Sequence, residues 1–97
     1  MIYHITTRIG WEKAVVEGSY AAESLGTEGF IHTSYEKQVE GVLNRYYQGH
    51  SGLVLLHIEE KAVTSEIKYE LAPSVNEIFP HIYGRLNLNA VVQVSDI

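Results

Sequence analysis

The sequence predicts an α+β fold: a compact single domain with mixed or antiparallel sheets and two main helices. Three observations predict it. Apolar positions recur at helical spacing twice, at Trp11, Ala14 and Val15 and again at Val39, Val42, Leu43 and Tyr46. Leu53 to Ile58 is an unbroken apolar run of strand length, bounded by Gly52 and Glu59. The 97 residues, 45% apolar and 20% charged, are enough for one hydrophobic core and leave no room for a second, so residues 1–97 form one domain.

The elements follow in order. Ile2 to Thr6, rich in β-branched and aromatic residues, reads as a first strand, and the run from Trp11 to Gly18 as a short helix. Tyr20 to Thr27 carries no clean period, after which Gly29-Phe30-Ile31-His32 reads as a brief extended segment. Thr33-Ser34-Tyr35-Glu36 has the form of a capping box and opens a second helix that ends near Gly49. Leu53–Ile58 is the expected central strand, Ile67 to Leu71 alternates as another strand, and Ala90 to Val94 closes the fold. Pro73 and Pro80 are expected to bracket a loop.

Charge and composition narrow the function. Twelve acidic against seven basic side chains give a formal net charge of −5, the wrong sign for attraction to a nucleic-acid duplex or an anionic membrane. The start Met1-Ile2-Tyr3-His4-Ile5 has neither the basic opening nor the apolar run of a signal peptide, and no window reaches a membrane-spanning length. With no Cys there is no disulfide, thiolate metal site or Cys nucleophile, which fits a cytoplasmic, reducing setting. A small-molecule ligand is the expected partner, because a local site can override the net field. Nothing in the pattern specifies an oligomeric state.

The chemistry rests on histidine. His4 lies in the first strand, His32 immediately before the second helix, and His81 in the turn Phe79-Pro80-His81-Ile82-Tyr83-Gly84, and the three are expected to face one cleft. His50 reads as plain loop and His57 as a structural strand residue. Thr33 and Ser34 are explained by helix capping, yet a helix start with free amides beside His32 also makes a cradle for phosphate or carboxylate. Trp11 is read first as core and second as a ring that stacks on a planar ligand. Tyr83-Gly84-Arg85 brings a ring, a hinge and a cation into one turn, although a tight turn with exposed side chains explains the same residues. Alternation places Lys68 and Glu70 on one sheet face, where a surface ion pair accounts for both.

Ile2-Tyr3-His4-Ile5, Trp11 with Ala14, Gly18-Ser19-Tyr20, Ser24-Leu25, Glu28-Gly29-Phe30-Ile31-His32-Thr33-Ser34, Gln38-Val39, Tyr69-Glu70 and Phe79-Pro80-His81-Ile82-Tyr83-Gly84 together resemble the DUF952 family over nearly the whole chain. The resemblance implies a fold similar to the ADP-ribosyltransferase catalytic core, in which NAD lies in a cleft between two small sheets. It implies His4 at the first-strand position, His32-Thr33-Ser34 as the second segment and Glu70 as the later carboxylate, which would stabilise an oxocarbenium-like ribose. Transferases acting on protein side chains commonly carry Glu or Gln two residues before that Glu, and here the position is Lys68.

Three readings remain. The first is a domain of uncharacterised function that binds a nucleotide or NAD-like ligand in a cleft lined by His4, His32 and His81, with Thr33, Ser34, Tyr83, Arg85 and Trp11 as ligand contacts. The second is an enzyme, a transferase or glycohydrolase, that uses His4, His32, Glu70 and His81 on NAD or a phosphate-bearing substrate. The third is a metal site built from His4, His32 and His81, which ranks last because no short His pairing has ligand spacing.

Overall fold

The computed structural model describes residues 1–97. Along the chain run β1 (Ile2–Thr7), α1 (Arg8–Glu17), β2 (Ser19–Tyr20), α2 (Glu23–Thr27), β3 (Ile31–His32), α3 (Glu36–Tyr46), β4 (Leu53–Ile58), β5 (Glu66–Ala72), β6 (Glu77–Tyr83), β7 (Leu86–Asn87) and β8 (Val91–Asp96). The strands form three small antiparallel sheets, in the orders β1-β4-β8, β2-β7 and β3-β6-β5. The class is α+β, with three helices and no parallel pair.

The apolar run Leu53–Ile58 is the central strand of the first sheet, as its unbroken hydrophobicity predicts, and Val54, Leu56 and Ile58 are fully buried. They join Ile2, Ile31, Ile82, Leu86, Ala14, Tyr20 and Ala90 in one core. Trp11, on α1, packs against that core.

Three local readings change. Helix α1 begins three residues before Trp11, because the Thr7 hydroxyl accepts from the Gly10 amide at 2.9 Å and caps it there. Helix α3 begins at Glu36 with Tyr35 as its cap, and the Gln38 side chain accepts from the Tyr35 amide at 2.9 Å. Thr33 and Ser34 are therefore not its caps. They join sheets instead: the Thr33 hydroxyl donates to the Pro80 carbonyl at 2.6 Å, and Ser34 and Tyr3 exchange two backbone bonds of 2.8 Å.

Pro80 stands inside β6, the middle strand of its sheet, and does not end a loop; the turn after Pro73 spans only the residues before Glu77. A proline cannot donate to a ladder, so its place needs a neighbour that asks for no donor. Thr33 supplies it. Its amide and its hydroxyl both donate to the Pro80 carbonyl, at 3.2 and 2.6 Å, and paired β3 ends one residue earlier.

His4 ties the sheets together. Strand alternation puts His4 and Thr6 on one face of β1, and the Tyr20 hydroxyl from β2 lies 2.8 Å from His4 Nε2 and 3.0 Å from Thr6 Oγ1. His4 Nδ1 is 2.5 Å from the His32 carbonyl at the end of β3. A carbonyl only accepts, so Nδ1 carries the ring proton, Nε2 accepts from Tyr20, and the Thr6 hydroxyl completes the chain. The ring is 7% exposed, and burial pushes it down to about 4, outweighing the carbonyl bond that favours the charged form.

Two stability predictions follow from this packing. A Cβ on Gly84 would sit 2.5 Å from Ser65 Oγ and 2.9 Å from Ser65 Cβ, and the Ser65 hydroxyl is held by the Arg85 carbonyl at 2.7 Å. Gly84→Ala should therefore lower the urea midpoint by an amount equivalent to about 1–3 kcal/mol; an unchanged midpoint would show that the β6–β7 turn relaxes freely. For His4, the unfolded ring takes a proton near its ordinary 6.5 while the folded ring resists until about 4. The unfolded state thus binds more protons between those values, and stability falls as pH drops through the window, by on the order of 3 kcal/mol. Urea titrations from pH 7.5 to pH 4 should show this slope in the wild type and a shallower one in His4→Gln. Equal slopes would refute the assignment.

Candidate functional site

The outward face of the β3-β6-β5 sheet is built by register. Alternation along β6 sets Phe79, His81 and Tyr83 on one face and buries Pro80 and Ile82 on the other. His81 pairs with His32 across β3 and with Lys68 across β5. The two imidazoles meet edge to face with centroids 5.3 Å apart, and the Phe30 ring touches both, at 4.1 Å from His81 and 4.8 Å from His32.

Each imidazole is held on one nitrogen by its own carboxylate. Glu70 Oε1 lies 2.8 Å from His81 Nδ1 and accepts from the Tyr83 hydroxyl at 2.5 Å, while Glu28 Oε2 lies 2.9 Å from His32 Nε2. The Tyr83 and His81 bonds keep the Glu70 carboxyl below the usual carboxylate range, and the same contact pushes the Tyr83 phenol up. The Lys68–Glu70 ion pair expected from alternation does not form: the Lys68 ammonium stands over the Tyr83 ring at 4.4 Å. Sharing a face left the partners open, and cross-strand register gave Glu70 to His81 and Tyr83.

His4, His32, Thr33, Ser34 and His81 all line one cleft of about 800 Å³, where β1 meets β3 and β6 beside α2 and the end of α3. The structure thus brings the three histidines together. The remaining sequence candidates lie elsewhere. Glu70 and Tyr83 stand behind His81 and do not line the cleft. Trp11 packs beside Tyr20 at 6.4 Å, and the Arg85 guanidinium is clasped by Ser19, donating to its hydroxyl at 2.6 Å and its carbonyl at 3.3 Å.

The amides expected to cradle an anion beside His32 are not free. The amides of Thr33, Ser34 and Tyr35 are taken by the Pro80 carbonyl, the Tyr3 carbonyl and the Gln38 side chain. The three-histidine metal site loses its donor set in the same way, because both ring nitrogens of His4 already have protein partners and no group of three metal-binding side chains is assembled.

Sequence reasoning missed Tyr20, Glu28, Phe30 and His50. His50, read as plain loop, lines the cleft, and Glu28, four residues before His32, has the one local signal that could have found it. His57 holds Ser95 at 2.8 Å within its sheet, in keeping with a structural strand role. No helix is long and apolar enough to cross a membrane.

Comparison with known proteins accords with this architecture. The crystal structure of CC0527 from Caulobacter crescentus is 29% identical, with a TM-score of 0.89 over 98% of this chain and 83% of that one. A crystal structure of its double mutant gives 0.88 over the same shares, and its solution NMR structure gives 0.84 over 99% and 83%, both at 29% identity. No curated protein matches the chain. A family model described as "Protein of unknown function (DUF952)" matches residues 5–94, so the chain belongs to the DUF952 family.

Proposed function

We propose that this protein binds a small ribosyl ligand of the nucleotide class, a nucleoside phosphate or an NAD-like dinucleotide, in the cleft lined by His4, His32 and His81. The observation that carries this reading is the convergence of three histidines from β1, β3 and β6 on one cavity of about 800 Å³, within the range of small-molecule sites. Aromatic walls from Phe79, Tyr46 and Tyr47 suit a flat base or nicotinamide ring, and Ser34 and the free nitrogens of His32 and His81 suit ribose hydroxyls and a phosphate oxygen. No Lys or Arg lines the cleft, whereas Glu23 and Glu28 do. An NAD-like dinucleotide, whose cationic nicotinamide offsets part of its phosphate charge, therefore suits the cleft better than a nucleoside phosphate.

A cleft of the ADP-ribosyltransferase kind, which the sequence resemblance implies, would favour the NAD-like option, with His4 on the first strand and His32-Thr33-Ser34 on the second segment. Transferase or glycohydrolase chemistry on that ligand would need Glu70 against the ribose. Glu70 is engaged by His81 and Tyr83 outside the cleft lining, so binding is the preferred reading.

A melting experiment tests it. NAD, ADP-ribose and nucleoside phosphates are titrated against the purified protein. At a hundredfold excess over its dissociation constant a ligand adds about 2.7 kcal/mol, a rise in melting temperature on the order of 10 °C for a domain this size. His32→Ala should weaken that ligand about tenfold, the loss of one hydrogen bond, and Glu70→Gln should leave its affinity unchanged. No shift with any of the ligands would end the nucleotide reading.

A further inference from the structure

We infer that His32 and His81 are a general acid–base pair that cleaves a singly charged phosphodiester of a nucleotide held in the cleft. This rests on the binding reading above and adds a reaction to it. The juxtaposition is set by register: the two residues are direct cross-strand partners, their rings 5.3 Å apart, both against Phe30 and both on the cleft wall.

Each ring has one nitrogen fixed and one free. Glu70 takes the Nδ1 proton of His81, and Glu28 takes the Nε2 proton of His32, which leaves His81 Nε2 and His32 Nδ1 without a protein partner. No buried side-chain nitrogen or oxygen lacks a hydrogen bond, so the unpartnered nitrogen of the largely buried His81 is accessible to solvent. A carboxylate behind an imidazole fixes its tautomer and orientation, which is how such rings are prepared for proton transfer. Glu70 is in turn fixed by the Tyr83 hydroxyl at 2.5 Å. Glu28 and Glu70 are positioning residues; His32 and His81 are the catalytic ones.

The substrate class follows from what else the cleft offers. Carboxyl-ester cleavage needs amide donors for a developing oxyanion, and the amides of Thr33 and Ser34 are already bonded to Pro80 and Tyr3. Cleavage at the ribose C1′ carbon would fall to Glu70 by the resemblance, and Glu70 is bonded to His81 and Tyr83 outside the cleft lining. A phosphate monoester brings up to two negative charges, with no cation in the ligand to offset them as nicotinamide does in NAD, to a wall that has Glu23 and Glu28 and no Lys or Arg. A phosphodiester brings one, which a single imidazolium offsets while the other, neutral imidazole acts as base.

In the reaction, the neutral imidazole takes a proton from water and the water oxygen forms a bond to phosphorus. The bond from phosphorus to the leaving ribose oxygen breaks, its electron pair stays on that oxygen, and the imidazolium gives it a proton. Water has then been added across one P–O bond, and the pair holds the same number of protons as before with their places exchanged. A monoester product, with its extra charge, is repelled by the same acidic wall, which favours its release.

The test uses the full chain and the four nucleoside 2′,3′-cyclic monophosphates, followed by chromatography for ring-opened nucleotide and by melting for binding. The expected result is ring opening that falls at least about a hundredfold in kcat in His32→Ala and in His81→Ala, the ordinary scale of lost acid–base catalysis. Free imidazole should restore part of the rate to His81→Ala, which a merely structural role would not allow. Glu70→Gln should lower kcat about tenfold with KM nearly unchanged. A cyclic nucleotide that raises the melting temperature without being opened overturns the acid–base inference and leaves the binding reading standing. If neither melting shift nor opening occurs with these or the earlier ligands, both are overturned. Ring opening that survives both His→Ala changes also overturns the inference, since the reaction would then belong to other groups.

Discussion

A neutral imidazole buried between three sheets is the constraint on which the rest of this structure depends. A two-stranded sheet is marginal alone in water and a three-stranded one needs a covered apolar face, and this fold has one of the first and two of the second. Apolar packing joins them but is tolerant of sliding. His4 is not tolerant. It stands on β1, donates to the end of β3 and accepts from Tyr20 on β2, so one ring measures the distance between all three sheets. Satisfied on both nitrogens it is compatible with burial, whereas losing either partner would leave a desolvated polar group, which costs more than the bond is worth. The paired Tyr3–Ser34 backbone bonds reinforce the same seam between β1 and the segment after β3.

That use of His4 divides the histidines by role. A ring with both nitrogens committed to the protein has nothing left for a ligand beyond its face and edges. His32 and His81 each have one nitrogen committed, and His57 holds Ser95. The available chemistry therefore moves from the first strand, where the family likeness would seat it, to the β3–β6 pair. His4, His32 and His81 line the same cleft, and of the three only His32 and His81 have a ring nitrogen without a protein partner.

The class, the central strand at Leu53–Ile58 and both longer helices were legible because each depends on period and run length, which are local. The convergence of His4, His32 and His81 was legible from where they fall against turns and strand ends. What escaped depends on pairing across the fold. The Thr33-Ser34-Tyr35-Glu36 string has the form of a capping box, but the chain at Thr33 and Ser34 is held by Pro80 and Tyr3, and the cap slides to Tyr35 with Gln38 behind it. Alternation placed Lys68 and Glu70 on one face and could not say that Tyr83 and His81 would stand closer to Glu70. Tyr20 lies in a stretch without periodicity, and its partner is sixteen residues away in the chain.

Pro80 shows how one of these misreadings bears on the site. As a residue that donates no ladder bond it reads as a boundary, and it does set one, though on its neighbour's strand. Thr33 gives both its donors to the Pro80 carbonyl, β3 stops at His32, and the chain crosses to pair Ser34 with Tyr3. His32 is consequently the last paired residue of β3, its side chain about half exposed at the cleft while His81 opposite is largely buried. Two histidines directly opposed across strands repel when both are charged. Here each is given a carboxylate from outside the pair, Glu28 from the turn before β3 and Glu70 from β5. The proline that hides the strand from a sequence reading is thus what brings β3 to an end at His32, and the flanking acids are what make such a pair tolerable there.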